Sequence, residues 1–333
     1  MKHLTILVPR GQNNLSSVIG PYKIFCAANN FSKQTRKKEV FKIQVAGVSG
    51  TENLYGGLFS IHPEVKATDI RKTHLIIIPS LSFGDYPLLI KKNHELSKWI
   101  KEQYKKGAEI ASICSGAFLL AASGLLNNKN CSTHWMVEDT FKEMFPGVRM
   151  VTDKILTDEH RLYTNGGAFS FLNLVLYLVE KYYDRETAIY CSKVFQIDIS
   201  RHSQSPFTMF KGQKNHNDEL IKRAQLLIEQ SFSELTTIDD LAKMLSLSRR
   251  NFDRRFMKAT GNSPFEYQQR VKIEVAKKAF EISGKTPKEV MYLSGYSEMK
   301  VFREAFKKVT GITPLEYRDK FGIGMKWEES TYD

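Results

Sequence analysis

Two rhythms of apolar residues run along this chain, one on each side of a polar stretch at residues 196–217 that lacks periodicity. On the N-terminal side, short apolar runs alternate with helical spacings. Leu4-Thr5-Ile6-Leu7-Val8 has the composition of a short buried strand and Phe41 to Val48 that of a second. Leu75-Ile76-Ile77-Ile78, ended by Pro79, has the look of a parallel strand buried on both faces. Gly20-Pro21 opens a helix through Phe25 and Cys26, and Leu89, Leu96, Ile100 and Tyr104 mark another over residues 88–106. A strand at Ala108 to Ile113 turns directly into a helix beginning Cys114-Ser115-Gly116-Ala117 and stopping near Gly124. Beyond it lie a helix from Trp135 to Phe145, short strands and a turn between Val148 and Thr164, and helices at Phe169 to Tyr183 and Glu186 to Phe195. This alternation predicts a three-layer α/β sandwich around a mainly parallel sheet.

On the C-terminal side the spacing is helical throughout, starting with Leu220 to Ile228, and one pattern occurs twice. The first copy runs from Ile238 through Phe252 and Phe256 to Thr260-Gly261-Asn262-Ser263-Pro264-Phe265-Glu266-Tyr267. The second runs from Glu289 through Phe302 and Phe306 to Thr310-Gly311-Ile312-Thr313-Pro314-Leu315-Glu316-Tyr317. Matching positions lie 49 apart before the second helix of each copy and 50 apart within it, so the copies differ by one residue in the turn. Thr237 with Asp240, Ser263 with Glu266, Thr286 with Glu289 and Thr313 with Glu316 have the form of capping boxes, and Pro264, Pro287 and Pro314 fall at first helical positions. Each phenylalanine pair is four apart and must face inward. That turns Arg250, Asp253 and Arg254 outward in one copy, and Lys300 and Arg303 in the other.

A short helix, a tight turn and a second helix with an outward basic face is the arrangement that enters a DNA major groove. Ser248, Arg249, Arg250, Asp253, Arg254, Met299, Lys300 and Arg303 are the candidate DNA contacts. A connecting helix through Val271, Ile273, Ala276 and Phe280 is expected to hold the two readers on successive grooves, about 34 Å apart. The expected organisation is an α/β domain at 1–195, a linker at 196–217, an all-α double helix-turn-helix domain at 218–320 and a tail at 321–333.

These paired motifs, including the Gly-x-Ser/Thr-Pro-x-Glu-Tyr ending of each, resemble the DNA-binding domain of the AraC family of bacterial transcription regulators. In the other half, Ile113-Cys114-Ser115-Gly116-Ala117-Phe118, Gly124-Leu125-Leu126, Thr133-His134-Trp135 and the Gly166-Gly167 turn resemble the PfpI/ThiJ-like, class I glutamine-amidotransferase-like domain, whose sheet is flavodoxin-like. In this order the two halves resemble the GlxA subgroup of AraC-family regulators. The resemblance implies a sensor domain that binds a small metabolite, often nitrogen-containing, and forms a homodimer. It also implies double-stranded DNA as partner, with RNA polymerase a further one; no cofactor and no metal are expected.

Cys114, on a sharp strand-to-helix turn, is the residue on which an enzymatic reading stands. A helix start favours thiolate and would lower its pKa. His134 is the candidate base, but no third member of a triad is evident; His62-Pro63-Glu64 has the His-x-Glu form yet precedes the cysteine. Where many PfpI-like enzymes carry an acid after the first strand, this chain has Asn13, Asn14, Ser16 and Ser17, and Asn173 stands where the subgroup often has aspartate. Cys114 and His134 are therefore read as vestigial, in a ligand pocket lined by Cys114, Ser115, His134, Gly166 and Gly167, at the strand ends where open α/β sheets bind ligands. The exposed N–H groups of a helix start there favour a carboxylate or another anion. A cysteine-dependent amidase or protease and a thiol redox sensor remain the alternative readings.

Charge adds less than its total suggests. The net charge is +13, but residues 1–217 hold 28 Lys and Arg against 18 Asp and Glu, while residues 218–333 hold 21 against 18. The local signal is sharper, with five basic side chains and one acid in residues 248–259. Cys26, Cys114, Cys131 and Cys191 are scattered without metal-ligand spacing. No apolar run approaches the roughly 18 residues of a membrane span, and no signal-peptide pattern opens the chain, so a cytoplasmic protein is expected.

Overall fold

The computed structural model describes residues 1–36, 38–48, 50–82, 84–199, 203–230 and 237–323. They form two compact units that divide between Gln204 and Ser205. In the first unit the sheet strands are β1 (Lys2–Val8), β2 (Phe41–Gly47), β3 (Val65–Lys66), β4 (Leu75–Ile78), β5 (Glu109–Ile113), β6 (Leu156–Glu159) and β7 (Leu162–Asn165). Their order is β6-β7-β5-β4-β1-β2-β3, parallel throughout except for the β6-β7 pair. The helices are α1 (Ser16–Arg36), α2 (Tyr86–Lys92), α3 (His94–Lys105), α4 (Ala117–Ala122), α5 (Glu138–Met144), α6 (Phe171–Tyr182) and α7 (Arg185–Val194).

Successive side chains on a strand point to opposite faces, so a strand that is apolar at every position builds two cores. On β4, Leu75 and Ile77 join Phe25 of α1 and Phe171 and Leu174 of α6 on one face. Ile76 and Ile78 join Trp99 of α3, Phe118 of α4 and Phe141 of α5 on the other. The result is a three-layer sandwich with helices on both faces of a mainly parallel sheet.

Two element boundaries differ from the sequence reading. Helix α1 begins at Ser16 and carries Pro21 inside it, because Asn14 Oδ1 accepts from both the Ser16 N–H and its hydroxyl and so starts the helix five residues early. The helix expected over 88–106 is broken at Asn93. Its amide donates to the carbonyls of Leu89 (2.8 Å) and Arg10 (3.0 Å) and accepts from Arg10 N–H (2.7 Å), tying the break to the loop after β1.

The second unit is helical: α8 (Glu219–Gln230), α9 (Ile238–Met244), α10 (Arg249–Thr260), α11 (Pro264–Ile282), α12 (Pro287–Leu293), α13 (Met299–Thr310) and α14 (Pro314–Phe321). All four capping boxes form, with Pro264, Pro287 and Pro314 in the first turns behind them. Each copy builds its own core. Phe252 and Phe256 pack with Ile221 of α8 and Tyr267 of α11, while Phe302 and Phe306 pack with Phe280 of α11 and Tyr317 of α14. A tyrosine–glutamate bond also repeats, from Tyr267 to Glu229 (2.6 Å) and from Tyr317 to Glu281 (2.5 Å).

The turn before α10 holds Ser246 at φ 55°, and the matching turn before α13 holds Gly295 at φ 75°. The left-handed region costs a side chain free energy that glycine avoids. Ser246→Gly is expected to stabilise the second unit by about 0.5 kcal/mol in thermal denaturation without altering DNA preference.

The stretch expected as a linker at 196–217 is shared between the units. Ile197 and Gln204 are buried in the first, whereas Phe210 packs edge-to-face against Tyr267 in the second. Single side chains anchor this segment, so it shows no periodicity. Its residues 200–202, and 324–333 of the expected tail at 321–333, lie outside the described residues.

Candidate functional site

Strand β5 ends at Ile113, and Cys114 follows at φ 52° in a short 3-10 turn that leads into α4. A non-glycine residue in this conformation is a strained elbow. Gly116 lets the elbow close, since a Cβ there would stand 2.5 Å from the Pro79 carbonyl oxygen. The Ser115 hydroxyl is consumed inside the turn, donating to Leu81 O (2.5 Å) and lying 2.9 Å from Ser80 Oγ. Ser80 N–H in turn donates to Ser17 Oγ (3.0 Å), so the first turn of α1 braces the same corner.

The Cys114 side chain is 1 % exposed, and burial pushes its thiol pKa up. Hydrogen bonds from the Ser80 hydroxyl, the Ser115 backbone and hydroxyl, and the His134 backbone act in the opposite direction and do not win. The helix-start argument for a lowered pKa is thereby overturned: α4 is short, and desolvation of the charged form outweighs what its first turn supplies.

The segment after the short strand Asn130–Cys131 closes over the elbow, with the Thr133 hydroxyl donating to Cys114 O (2.8 Å). His134 approaches the sulfur through its backbone. Its Nδ1 accepts from Met136 N–H (3.2 Å), which leaves the proton of a neutral ring on Nε2, and burial lowers its pKa. Cys114, Ser115 and His134 are therefore together, with His134 meeting the thiol through its backbone and its Nδ1 engaged by the Met136 N–H. Gly166 and Gly167 follow β7 in a turn tied by Asn165 and the Ser170 hydroxyl, which donates to Gly166 O. Gly166 faces Ser132 and Gln204.

Sequence reasoning missed Ser80, Ser132 and Gln204, and quoted Thr133 in its motif without giving it a contact. Ser80 was legible as the residue after the proline that ends β4, but nothing marked Gln204 within its polar stretch. His62, by contrast, is engaged with Thr51 (2.9 Å). Asn173 donates to Asp198 O (2.7 Å) and lines an open cavity of about 420 Å³ with Tyr177, Glu180 and Arg185, apart from the residues at the elbow. Among the described residues no group of three or more His, Cys, Asp or Glu could hold a metal, and no helix is long and apolar enough to cross a membrane.

In the second unit the candidate DNA contacts separate into two kinds. Arg250 and Arg254 on α10 and Lys300 and Arg303 on α13 are exposed. Arg249 instead grips Asp253, 3.0 Å to each carboxylate oxygen, and reaches Asp239 at 3.2 Å. Met299 packs partly into the core beneath α13. Ser248 caps α10 through Asn251 N–H (3.4 Å), whereas Glu298 at the start of α13 makes no side-chain cap. Outside that face, Arg255 forms a bidentate pair with Asp218 (2.7 and 2.9 Å), joining α10 to the start of α8.

An unreactive Cys114 follows from its burial. Alkylation of the native protein at neutral pH is expected to spare Cys114 and Cys131 and to label the half-buried Cys26 first, as read by peptide mass spectrometry.

Comparison with known proteins places both halves. Residues 22–181 match the DJ-1/PfpI family and residues 241–320 match a helix-turn-helix domain. The transcriptional regulator GbdR of Pseudomonas aeruginosa is 22 % identical over 312 residues, which cover 93 % of this chain and 82 % of that protein. GlxA, a transcriptional regulator of Rhizobium meliloti, is 24 % identical over 65 % of this chain and 67 % of its own length. A solved transcriptional regulator protein from Vibrio parahaemolyticus matches 58 % of this chain and 98 % of its own, with 26 % identity and a TM-score of 0.51.

Proposed function

Because this chain is a transcription regulator that joins a DJ-1/PfpI domain to an AraC-type helix-turn-helix domain, we propose that residues 1–195 sense a small-molecule effector without catalysis and residues 218–320 read double-stranded DNA in response. The observation that carries the reading is the pair of like helices, α10 and α13, each clamped by two buried phenylalanines and each presenting exposed cations. Arg250, Arg254, Lys300 and Arg303 are the residues assigned to bases or phosphates, with Ser248, Arg249 and Asp253 shaping the start of the first reader. Helix α11 has nineteen residues and is therefore about 28 Å long, a length suited to holding the readers near one helical repeat of DNA.

On the sensing side, the cleft around Cys114, Ser115, His134, Gly166 and Gly167 is the proposed effector site, with cysteine and histidine as lining rather than as nucleophile and base. The raised thiol pKa and the engaged Nδ1 support this. Dimerisation through the first unit, contact with RNA polymerase and a cytoplasmic location complete the reading. One observation favours a second reading: the strained φ at Cys114 is the backbone of a nucleophile elbow. Hydrolysis of glutamine or simple amides that disappears in Cys114→Ala would establish that alternative.

The test of the first reading is selection from random duplex DNA by the purified protein at a fixed physiological salt concentration. Enrichment of two half-sites about one helical turn apart is the expected result. Retention of DNA without an enriched motif, dependent only on salt, would overturn it.

A further inference from the structure

We propose that Gln204 is a tethered plug: its carboxamide fills a buried slot beside the sensor cleft, and a ligand bearing a primary carboxamide displaces it, shifting the strap that leads into the DNA reader. The proposal rests on the reading of the first unit as a small-molecule sensor, and it names the chemical class that this sensor takes.

Gln204 is 1 % exposed although it lies in a stretch without apolar periodicity. Its Nε2 donates to Thr133 O at 3.0 Å and to Ser132 Oγ at 3.4 Å. Its Oε1 is buried with no hydrogen-bond partner among the described residues. The backbone beside it is bonded through Gln204 N–H to Asp153 O (3.1 Å), Ser203 Oγ to the same oxygen (2.9 Å) and a bridge between Ser203 and Lys154.

The slot is shaped around an amide. Gly166 forms one wall, and a Cβ there would collide with the Gln204 carboxamide and stand 2.6 Å from Ser132 Oγ. Thr133 forms another, and its hydroxyl is bonded to the Cys114 carbonyl, so the slot and the elbow share one residue. The groups that meet Nε2 are a carbonyl oxygen and a hydroxyl oxygen, both accepting its hydrogen bonds. A buried acceptor left unmade costs folding free energy, so the side chain in place is only half satisfied and open to replacement by a free amide that finds a partner for its oxygen.

Displacement has a mechanical consequence. Phe207, three residues on, packs edge-on against Phe321 (5.4 Å) with the Lys320 ammonium 4.8 Å from its ring, and so anchors the chain in the second unit. Three residues span at most about 10 Å. A tether this short passes a movement at Gln204 to the anchor at Phe207.

The test uses the full chain, the selected operator and propionamide as probe. Gln204→Gly empties the slot, and Gln204→Met fills it without N–H donors. Both variants are expected to shift operator affinity in the same direction by at least about fivefold, the lower end of allosteric couplings. Propionamide should raise the Tm of Gln204→Gly and shift wild-type operator affinity in the direction of that variant, while butanone, of similar shape but without N–H groups, should do neither. Wild-type affinity in both variants would overturn the coupling, and equal effects of butanone and propionamide would overturn the amide slot. Should Gln204→Gly not fold, hydrogen exchange in wild-type residues 203–210 takes its place, and no change on adding propionamide overturns the proposal. Failure to select any operator would strike the regulator reading alone, because the Tm comparison still decides the slot.

Discussion

Phe256→Ala is expected to unfold the first helix-turn-helix copy and leave the second folded. The ring is fully buried, edge-to-face with Phe252 (5.6 Å between centroids) and Tyr267 (5.3 Å). Removing a buried phenylalanine side chain costs about 3–5 kcal/mol, comparable with the whole stability of a small domain. The loss stays local because the two copies have separate cores, one built on α8, α9 and α10 and the other on α12, α13 and α14, with opposite ends of α11 contributing to each. Thermal denaturation should therefore split into two transitions, and the DNA footprint should contract to one half-site. Phe306→Ala should give the mirror result. A single transition at lower temperature, with both half-sites lost together, would show that the copies fold as one.

Arg250→Ala is expected to weaken operator binding by about 1–3 kcal/mol and to relax preference at one base pair. Among the four arginines of α10, Arg249 is occupied by Asp253 and Asp239, Arg255 by Asp218, and Arg254 lies 3.1 Å from Asn251 Oδ1. Arg250 is exposed and has no hydrogen bond or ion pair within the chain among the described residues. A guanidinium held by two carboxylates must break those bonds before it can grip guanine, so Arg249→Ala should cost less than Arg250→Ala. Equal weakening on every sequence, with the salt slope reduced by about 1, would reassign Arg250 to a phosphate.

The helix-turn-helix copies were more legible in the sequence than the surroundings of Cys114, for physical reasons. A capping box is made by residues three apart and a buried phenylalanine pair by residues four apart, so both are visible in a short window. The four boxes and both pairs stand where the spacing put them. The inward or outward sense of a side chain is equally local, but its partners are not. Arg249 and Asp253 are four apart and so open to pairing in a short window, but nothing in the spacing said that Asp239 would join them or that Met299 would turn toward the core. Around Cys114 the contacts join residues remote in sequence, such as Thr133 to Cys114 and Gln204 to Thr133. The strand-to-helix elbow was readable because it is one continuous segment. The rise in the Cys114 pKa was not, because it depends on what the rest of the fold buries around the sulfur.

The single helix between the two cores sets phase as well as distance. An α-helix turns about 100° per residue, so one residue added within α11 would swing the second reader about 100° around the helix axis while moving it only about 1.5 Å along it. Three or four added residues would restore the facing and lengthen the span by about one helical turn, 5.4 Å. The half-site spacing a regulator of this build accepts is therefore quantised by the middle of α11, at positions that need not touch DNA at all.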